Sequence, residues 1–170
     1  MPTRLFQPEG TRLPTSLIAG WRKIPAAVVA DLLRGTGHVD AGIRPLRRFG
    51  TKSWLVGSAI TARCEGADYG AVHHAINVAE AGDVVVVDAG GRSDAAMIGE
   101  LLSGSARRKG IAGVVVDGAV RDAGVLSEWA DFAIFSRWVT PRGDDHKEMG
   151  TNDHGVICAT FKYNPINTGP

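Results

Sequence analysis

Residues 82–122 read GDVVVVDAGGRSDAAMIGELLSGSARRKGIAGVVVDGAVRD, and this stretch decides the fold. From Asp83 to Asp88 it is a β-branched run closed by Gly90 and Gly91, the composition of a strand buried on both faces. From about Ser93 to Lys109, the apolar residues Met97, Ile98, Leu101, Leu102 and Ala106 recur at the spacing of one helix face. Arg107, Arg108 and Lys109 suit the last turn of that helix, where cations meet the negative end of its dipole, and Gly110 suits the stop. A second β-branched run, Gly113 to Val116, follows, and DGAVRD is expected to turn straight after it. Strand, helix and strand within about forty residues predict a parallel crossover unit, right-handed by default.

The chemistry of such a unit collects just past the carboxyl ends of its strands. Three groups are expected to gather there: the turn Gly90-Gly91, the pair Gly99-Glu100 near the helix start, and Arg121-Asp122 after the second strand. An isolated Arg-Asp pair is ordinarily a surface ion pair or a helix cap. Beside a buried strand end and a glycine-rich turn, it suits a site for a small anion and a metal ion instead.

Composition narrows the classes. A chain of 170 residues that is 44% hydrophobic fits one domain with a sizeable core. A net charge of +1 gives no bulk attraction to nucleic acid or to an anionic membrane. Cys64 and Cys158 are far apart and form no CxxC pair, so reduced thiols are expected rather than a zinc site or a disulfide framework. Residues 1–10 lack an apolar signal core, and no stretch approaches the ~20 apolar residues of a membrane span. A soluble, cytoplasmic protein is expected.

Along the rest of the chain, residues 1–22 read as an N-terminal arm, polar and proline-punctuated through Pro14, lying on the surface or on a neighbouring subunit. Residues 23–170 read as a single α/β domain. Ile24 to Leu33 predicts a helix with Pro25 at its first position, Val28, Val29, Leu32 and Leu33 apolar, and Asp31 an exposed carboxylate. Thr36 to Gly50, with Arg44, Arg47 and Arg48, reads as a solvated loop. Ser53 to Cys64 predicts a strand or pair of strands, where Gly57 marks a bulge or a close backbone approach. Asp68 to Glu80 predicts a helix capped by Asp68, with Val72, Ala75, Ile76 and Ala79 inward. His73 and His74 point to different faces, unlike the i, i+4 pairs that bind zinc, which leaves one of them to line a pocket. Beyond Asp122 the pattern gives a helix to Trp129, a strand from Phe132 to Phe135, a polar loop from Trp138 to Gly150, and a strand from Gly155 to Ala159. Asp153-His154 reads as a loop turn.

GDVVVVDAGG, then A-x-x-G-E-L-L, then GVVVDGAVRD together resemble the class II pyruvate aldolase family, over about Ala30 to Ile157. That family includes 4-hydroxy-4-methyl-2-oxoglutarate aldolases and the regulator of ribonuclease activity A, and some relatives carry an old label as menaquinone methyltransferases. The resemblance implies a swivelling β/β/α sandwich in trimers that pair into hexamers. It implies cleavage of 4-hydroxy-2-oxo acids to pyruvate, and decarboxylation of oxaloacetate through the same enolate. Its substrates are small 2-oxo acids, with neither nucleic acid nor membrane as partner. By the same resemblance Asp122 ligates Mg²⁺ or Mn²⁺, and Arg121 grips the carboxylate or enolate oxygen. Gly99 with the N–H groups of Leu101 and Leu102 cradles the substrate anion, and Glu100 holds or deprotonates a water that acts as base. A strand-end lysine suited to a Schiff base is missing, which agrees with a metal route.

Two departures accompany the resemblance. The family pattern R-D-x-x-D/E meets Val125 at its acidic position, the next acid being Glu128. The glycine-rich segment and P-G-D turn of the family's C-terminal region, from which a neighbouring subunit supplies a second acid, are also missing. Val125 favours an alternative, a non-catalytic binding protein that regulates a partner enzyme such as a ribonuclease, while Gly99-Glu100 with Arg121-Asp122 favours catalysis. A methyltransferase reading of VVVVDAGG fails, because a nucleotide fold carries its glycine loop after the first strand, with an acidic ribose contact about twenty residues on.

Overall fold

The structure, a computed structural model, describes residues 4–6, 13–47, 55–143 and 155–159. Among the described residues eight strands join one mixed sheet. They are β1 (Arg4–Phe6), β2 (Arg44–Pro45), β3 (Ala59–Cys64), β4 (Val84–Asp88), β5 (Ala96–Ile98), β6 (Gly113–Val120), β7 (Ala133–Val139) and β8 (Gly155–Ala159). Their order is β1-β8-β3-β4-β6-β7-β2, with β5 paired to the carboxyl end of β6. The central strands β3, β4, β6 and β7 are parallel, whereas β8 and β2 run antiparallel to β3 and β7. The helices are α1 (Thr15–Trp21), α2 (Ala26–Leu32), α3 (Gly70–Val78), α4 (Glu100–Arg108) and α5 (Ala123–Glu128). The α/β class expected from the sequence, with its parallel strand–helix–strand unit at the centre, is the observed one.

The valine runs pack as their composition requires. Val85 and Val87 of β4 pair in register with Val114 and Val116 of β6, and all four are buried. Helix α3 covers this sheet with the expected residues, Val72, Ala75, Ile76 and Ala79, all buried. Its entry is fixed by Asp68, whose buried carboxylate accepts the Gly70 N–H at 2.8 Å, although Tyr69 holds the cap position itself. Helix α4 ends as predicted. The Gly110 N–H donates to Arg107 and the Ile111 N–H to Ala106 (3.0 and 3.1 Å), a Schellman closure that sets Gly110 at φ +82°. Ile111 is buried just beyond it, and Lys109 Nζ donates to the Ile76 and Asn77 carbonyls, tying the ends of α3 and α4 together.

Several expectations change. The helix predicted from Ser93 begins only at Glu100, because Ala96–Ile98 form β5. The reason lies in β6, which does not turn after Val116. It shifts register between Val116 and Ala119 and runs on to Val120, offering β5 an edge to pair with. Consequently Leu101, placed on the apolar helix face by its spacing, is 80% exposed, and the buried positions of α4 are Ser103 and Ala106. Pro25 occupies the cap of α2 rather than its first helical position, and neither α1 nor α2 buries a residue against this chain. Strand β7 extends to Val139 and so takes Trp138 and Val139 from the expected loop. Arg44–Pro45 form a two-residue strand within a stretch read as loop, and Arg4–Phe6 of the arm add β1 beside β8. Gly57 marks a close approach, since a Cβ there would lie 2.2 Å from the Gly82 carbonyl oxygen. Asp31 is exposed and Cys64 is a buried free thiol, as expected. Arg48 and Asp153-His154 lie outside the described residues.

Candidate functional site

Strand β6 delivers Arg121 and Asp122 past its carboxyl end, where β5 and β7 flank it. The Arg121 N–H donates to the Ile98 carbonyl and the Thr140 N–H to that of Val120, both at 3.0 Å. Asp122 then takes a left-handed conformation (φ +57°, ψ +29°), which a short polar side chain tolerates better than most. This reverses the chain into α5 and turns the carboxylate back toward α4. Its Oδ2 accepts the Glu100 N–H at 2.9 Å. Asp122 therefore caps α4, where a negative charge meets free N–H groups and the positive end of the dipole, and makes no side-chain cap to its own helix α5.

Arg121 lies against the same carboxylate, its Nε 3.6 Å from Oδ2 with both side chains roughly 40% exposed. At that separation and exposure the pair adds little stability. Among the described residues Arg121 has no closer polar partner, and its Nη1 lies against Gly143, where a Cβ would fall 2.5 Å from it. Other arginines are engaged. Arg92 forks onto Asp94, Arg107 pairs with Asp131, and Arg137 bonds Asp117 at 2.6 Å and Asp40 at 2.9 Å. Gly99 makes the close packing possible. Its backbone is extended (φ −144°, ψ −161°), a conformation open to any residue, so the requirement is for space. A Cβ there would fall 2.5 Å from Asp122 Oδ2 and 2.7 Å from Arg121 Cγ.

A cleft of about 260 Å³ opens beside these groups. Gly99, Leu101, Leu102 and Arg121 line it, with Met97 and Ile98 as an apolar floor and Tyr69 and His73 as further wall. The amides of Leu101 and Leu102 fall in the first turn of α4, where a helix leaves its N–H groups without internal acceptors. Asp122 and Glu100 stand next to the lining residues, joined by the bond from the Glu100 amide, with the Glu100 residue itself exposed. Val125 is 42% exposed, one turn into α5.

The sequence placed the turn Gly90-Gly91 with this group, and the structure separates them. Asp88 pairs with Asp117, and the Gly91 N–H donates to the Asp117 carbonyl, so the turn is level with a point four residues before Arg121. At about 3.3 Å per residue that is roughly 13 Å along the strand. The extension of β6 and the insertion of β5 cause the separation. Around the turn, Trp138 Nε1 donates to the Gly91 carbonyl, and Arg137 joins Asp117 to Asp40. The Gly42 amide and then the Arg137 guanidinium hold the Asp40 carboxyl below its ordinary range, while bonding to Asp117 raises Arg137.

Sequence reasoning left open which histidine meets the cleft, and it overlooked Tyr69 altogether. The available signal was the i, i+4 spacing of Tyr69 and His73, which brings their rings to 5.4 Å, with Tyr69 half-buried against the core and His73 exposed. Ser103, of which the sequence pattern says nothing, is fully buried, and its Oγ has no hydrogen-bond partner among the described residues.

Among the described residues no three or more His, Cys, Asp or Glu side chains converge as a ready-made metal cage. What stands beside the cleft is the carboxylate of Asp122, whose contacts among the described residues all fall on Oδ2, with the exposed Glu100 next to it. Such a donor set fits Mg²⁺, which keeps several waters and takes one or two protein carboxylates beside its substrate. Among the described residues no helix is long and apolar enough to cross a membrane.

The sequence pattern of the RraA-like family, described as Aldolase/RraA, matches residues 26–168, and the chain belongs to this family. A Halalkalibacterium halodurans protein named "Putative 4-hydroxy-4-methyl-2-oxoglutarate aldolase" is 34% identical over 148 residues, 87% of this chain and 69% of the relative. A protein of the same name from Hahella chejuensis is 28% identical, covering 81% and 84% of the two chains. Among solved structures, the "RNA-processing inhibitor RraA from Thermus thermophilis" superposes with a TM-score of 0.65 at 27% identity, over 79% of this chain and 76% of that one.

Proposed function

We propose that the chain is a divalent-metal-dependent lyase that cleaves 4-hydroxy-2-oxo acids of the 4-hydroxy-4-methyl-2-oxoglutarate type to pyruvate, and decarboxylates oxaloacetate through the same enolate. The family relatives named as aldolases support the lyase class. One observation carries the reading to this cleft: a guanidinium with no closer polar partner than Asp122 among the described residues lies beside helix-start amides and that carboxylate.

The amides of Leu101 and Leu102 receive the substrate carboxylate, where the dipole of α4 favours negative charge. Arg121 holds the keto oxygen and stabilises the charge it gains as the enolate forms. Asp122 would hold Mg²⁺ or Mn²⁺, which when bound supplies Lewis-acid polarisation of the 2-oxo group. Glu100 orders a water beside Asp122, and the Met97–Ile98 floor limits water around the reacting carbons. The resemblance further implies a cytoplasmic homotrimer or hexamer.

Pyruvate release from oxaloacetate and from 4-hydroxy-4-methyl-2-oxoglutarate, followed in a coupled assay with and without Mg²⁺, tests the reading. Arg121→Ala is expected to lose about 10²–10³-fold in kcat, the loss typical of one oxyanion donor, and full turnover in this variant would rule out its role. A second reading rests on Val125, which stands where the aldolase pattern carries an acid. Absence of turnover with every 2-oxo acid, together with inhibition of a ribonuclease by the purified chain, would support a regulatory binding protein instead.

A further inference from the structure

We infer that His73 is a further catalytic residue of this cleft, moving a proton between the C4 hydroxyl and C3 of the substrate; the inference rests on the lyase reading above. Helix α3 buries Ala71, Val72, Ala75 and Ile76, which leaves position 73 on the outward side, one turn after Tyr69. The two rings lie 5.4 Å apart, tilted by 31°, and together they form one wall of the cleft that Arg121 also lines. Among the residues lining that cleft, the side chains able to hydrogen-bond are those of Tyr69, His73 and Arg121. Arg121 is a fixed cation and cannot act as base. Imidazole is the side chain suited both to take and to return a proton near neutral pH. The Glu100 side chain, the other candidate base, is not among the lining groups.

The chemistry of cleavage needs such a group twice. As the C3–C4 bond breaks, the neutral imidazole accepts the C4 hydroxyl proton, and the O–H electron pair becomes the π bond of the departing carbonyl. The C3–C4 pair moves between C2 and C3, and the keto π pair moves onto the oxygen held by Arg121. The imidazolium then returns its proton to C3 as the C2 carbonyl reforms, which gives the methyl group of pyruvate and restores neutral His73. No further reactant is required. Run backward on pyruvate alone, the last step removes a methyl proton, so exchange with solvent reports it directly.

The test incubates the full chain with Mg²⁺ and pyruvate in D₂O, follows loss of the methyl signal by NMR, and measures pyruvate binding by calorimetry. His73→Gln is expected to slow exchange by about 10²-fold or more, the usual worth of a general acid–base group, while still binding pyruvate. His74→Gln, on the next helix position and lining the adjoining groove between α3 and α4 but not the cleft itself, is expected to exchange at the native rate. Native exchange in His73→Gln would overturn the inference and leave the lyase reading standing. Loss of pyruvate binding together with exchange would also overturn it, because His73 would then shape the cleft rather than move protons. A native chain that neither binds nor exchanges pyruvate would remove the lyase reading, and this inference with it.

Discussion

Gly99 has no room for a side chain. The space a methyl group would occupy is filled by Asp122 Oδ2 and the Arg121 stem. Gly99→Ala is therefore expected to push the carboxylate off the Glu100 N–H or displace Arg121, cutting pyruvate affinity by about tenfold or more (about 1.4 kcal/mol). Circular dichroism should show an intact fold, and titration calorimetry should show the loss. Cys64 makes a second residue-scale case. Burial first, then the carboxylates of Asp68 and Asp88, pushes its thiol up to about 12, so it stays protonated and unreactive at neutral pH. In a Cys158→Ser background, a thiol reagent at pH 8 should find no reactive thiol in the native protein and one per chain after unfolding. Arg121, Asp122 and Gly99 were legible as a group because each residue type is demanding where it stands. The left-handed turn at Asp122 was not legible, since what fixes it is a hydrogen bond to an amide 22 residues away.

At the scale of elements, the stop of α4 was readable and its start was not. Gly110 sits at φ +82° with Ala81 Cβ 3.1 Å from where its own Cβ would be. Gly110→Ala should thus destabilise the protein by about 1–2 kcal/mol, the cost of an L side chain in the left-handed region, measured by urea unfolding with unchanged slope. The start was misread because two patterns coincide. Met97 and Ile98 fit a helix face with Leu101 and Leu102, yet Ala95, Ala96, Met97 and Ile98 are all buried in succession. A continuous buried run is what a strand enclosed on both faces needs, and only the extension of β6 beyond Asp117 reveals that such a place exists. Strand β4, helix α3 and the body of β6, whose patterns each admit one reading, came out where the sequence put them.

Over the whole molecule, the Asp40–Arg137–Asp117 chain ties the loop before β2 to β6 and β7. The folded-state pKa of Asp40 lies below its ordinary value of 3.8, so its contribution is present above that value and is lost as pH falls through the lower folded one. Asp40→Asn should accordingly lower Tm modestly at pH 7, and the gap from the parent should close as pH falls below 3.8. Equal Tm values at neutral pH would show that the exposed clamp contributes nothing. Sheet order has a further consequence. Because β8 lies between β1 and β3, residues 155–159 link the strand nearest the start of the chain to the parallel core. A nascent polypeptide that has emerged only through β7 can assemble β3, β4, β6 and α3, but it presents the ribosome exit with an unzipped β3 flank, open to stray pairing until β8 arrives.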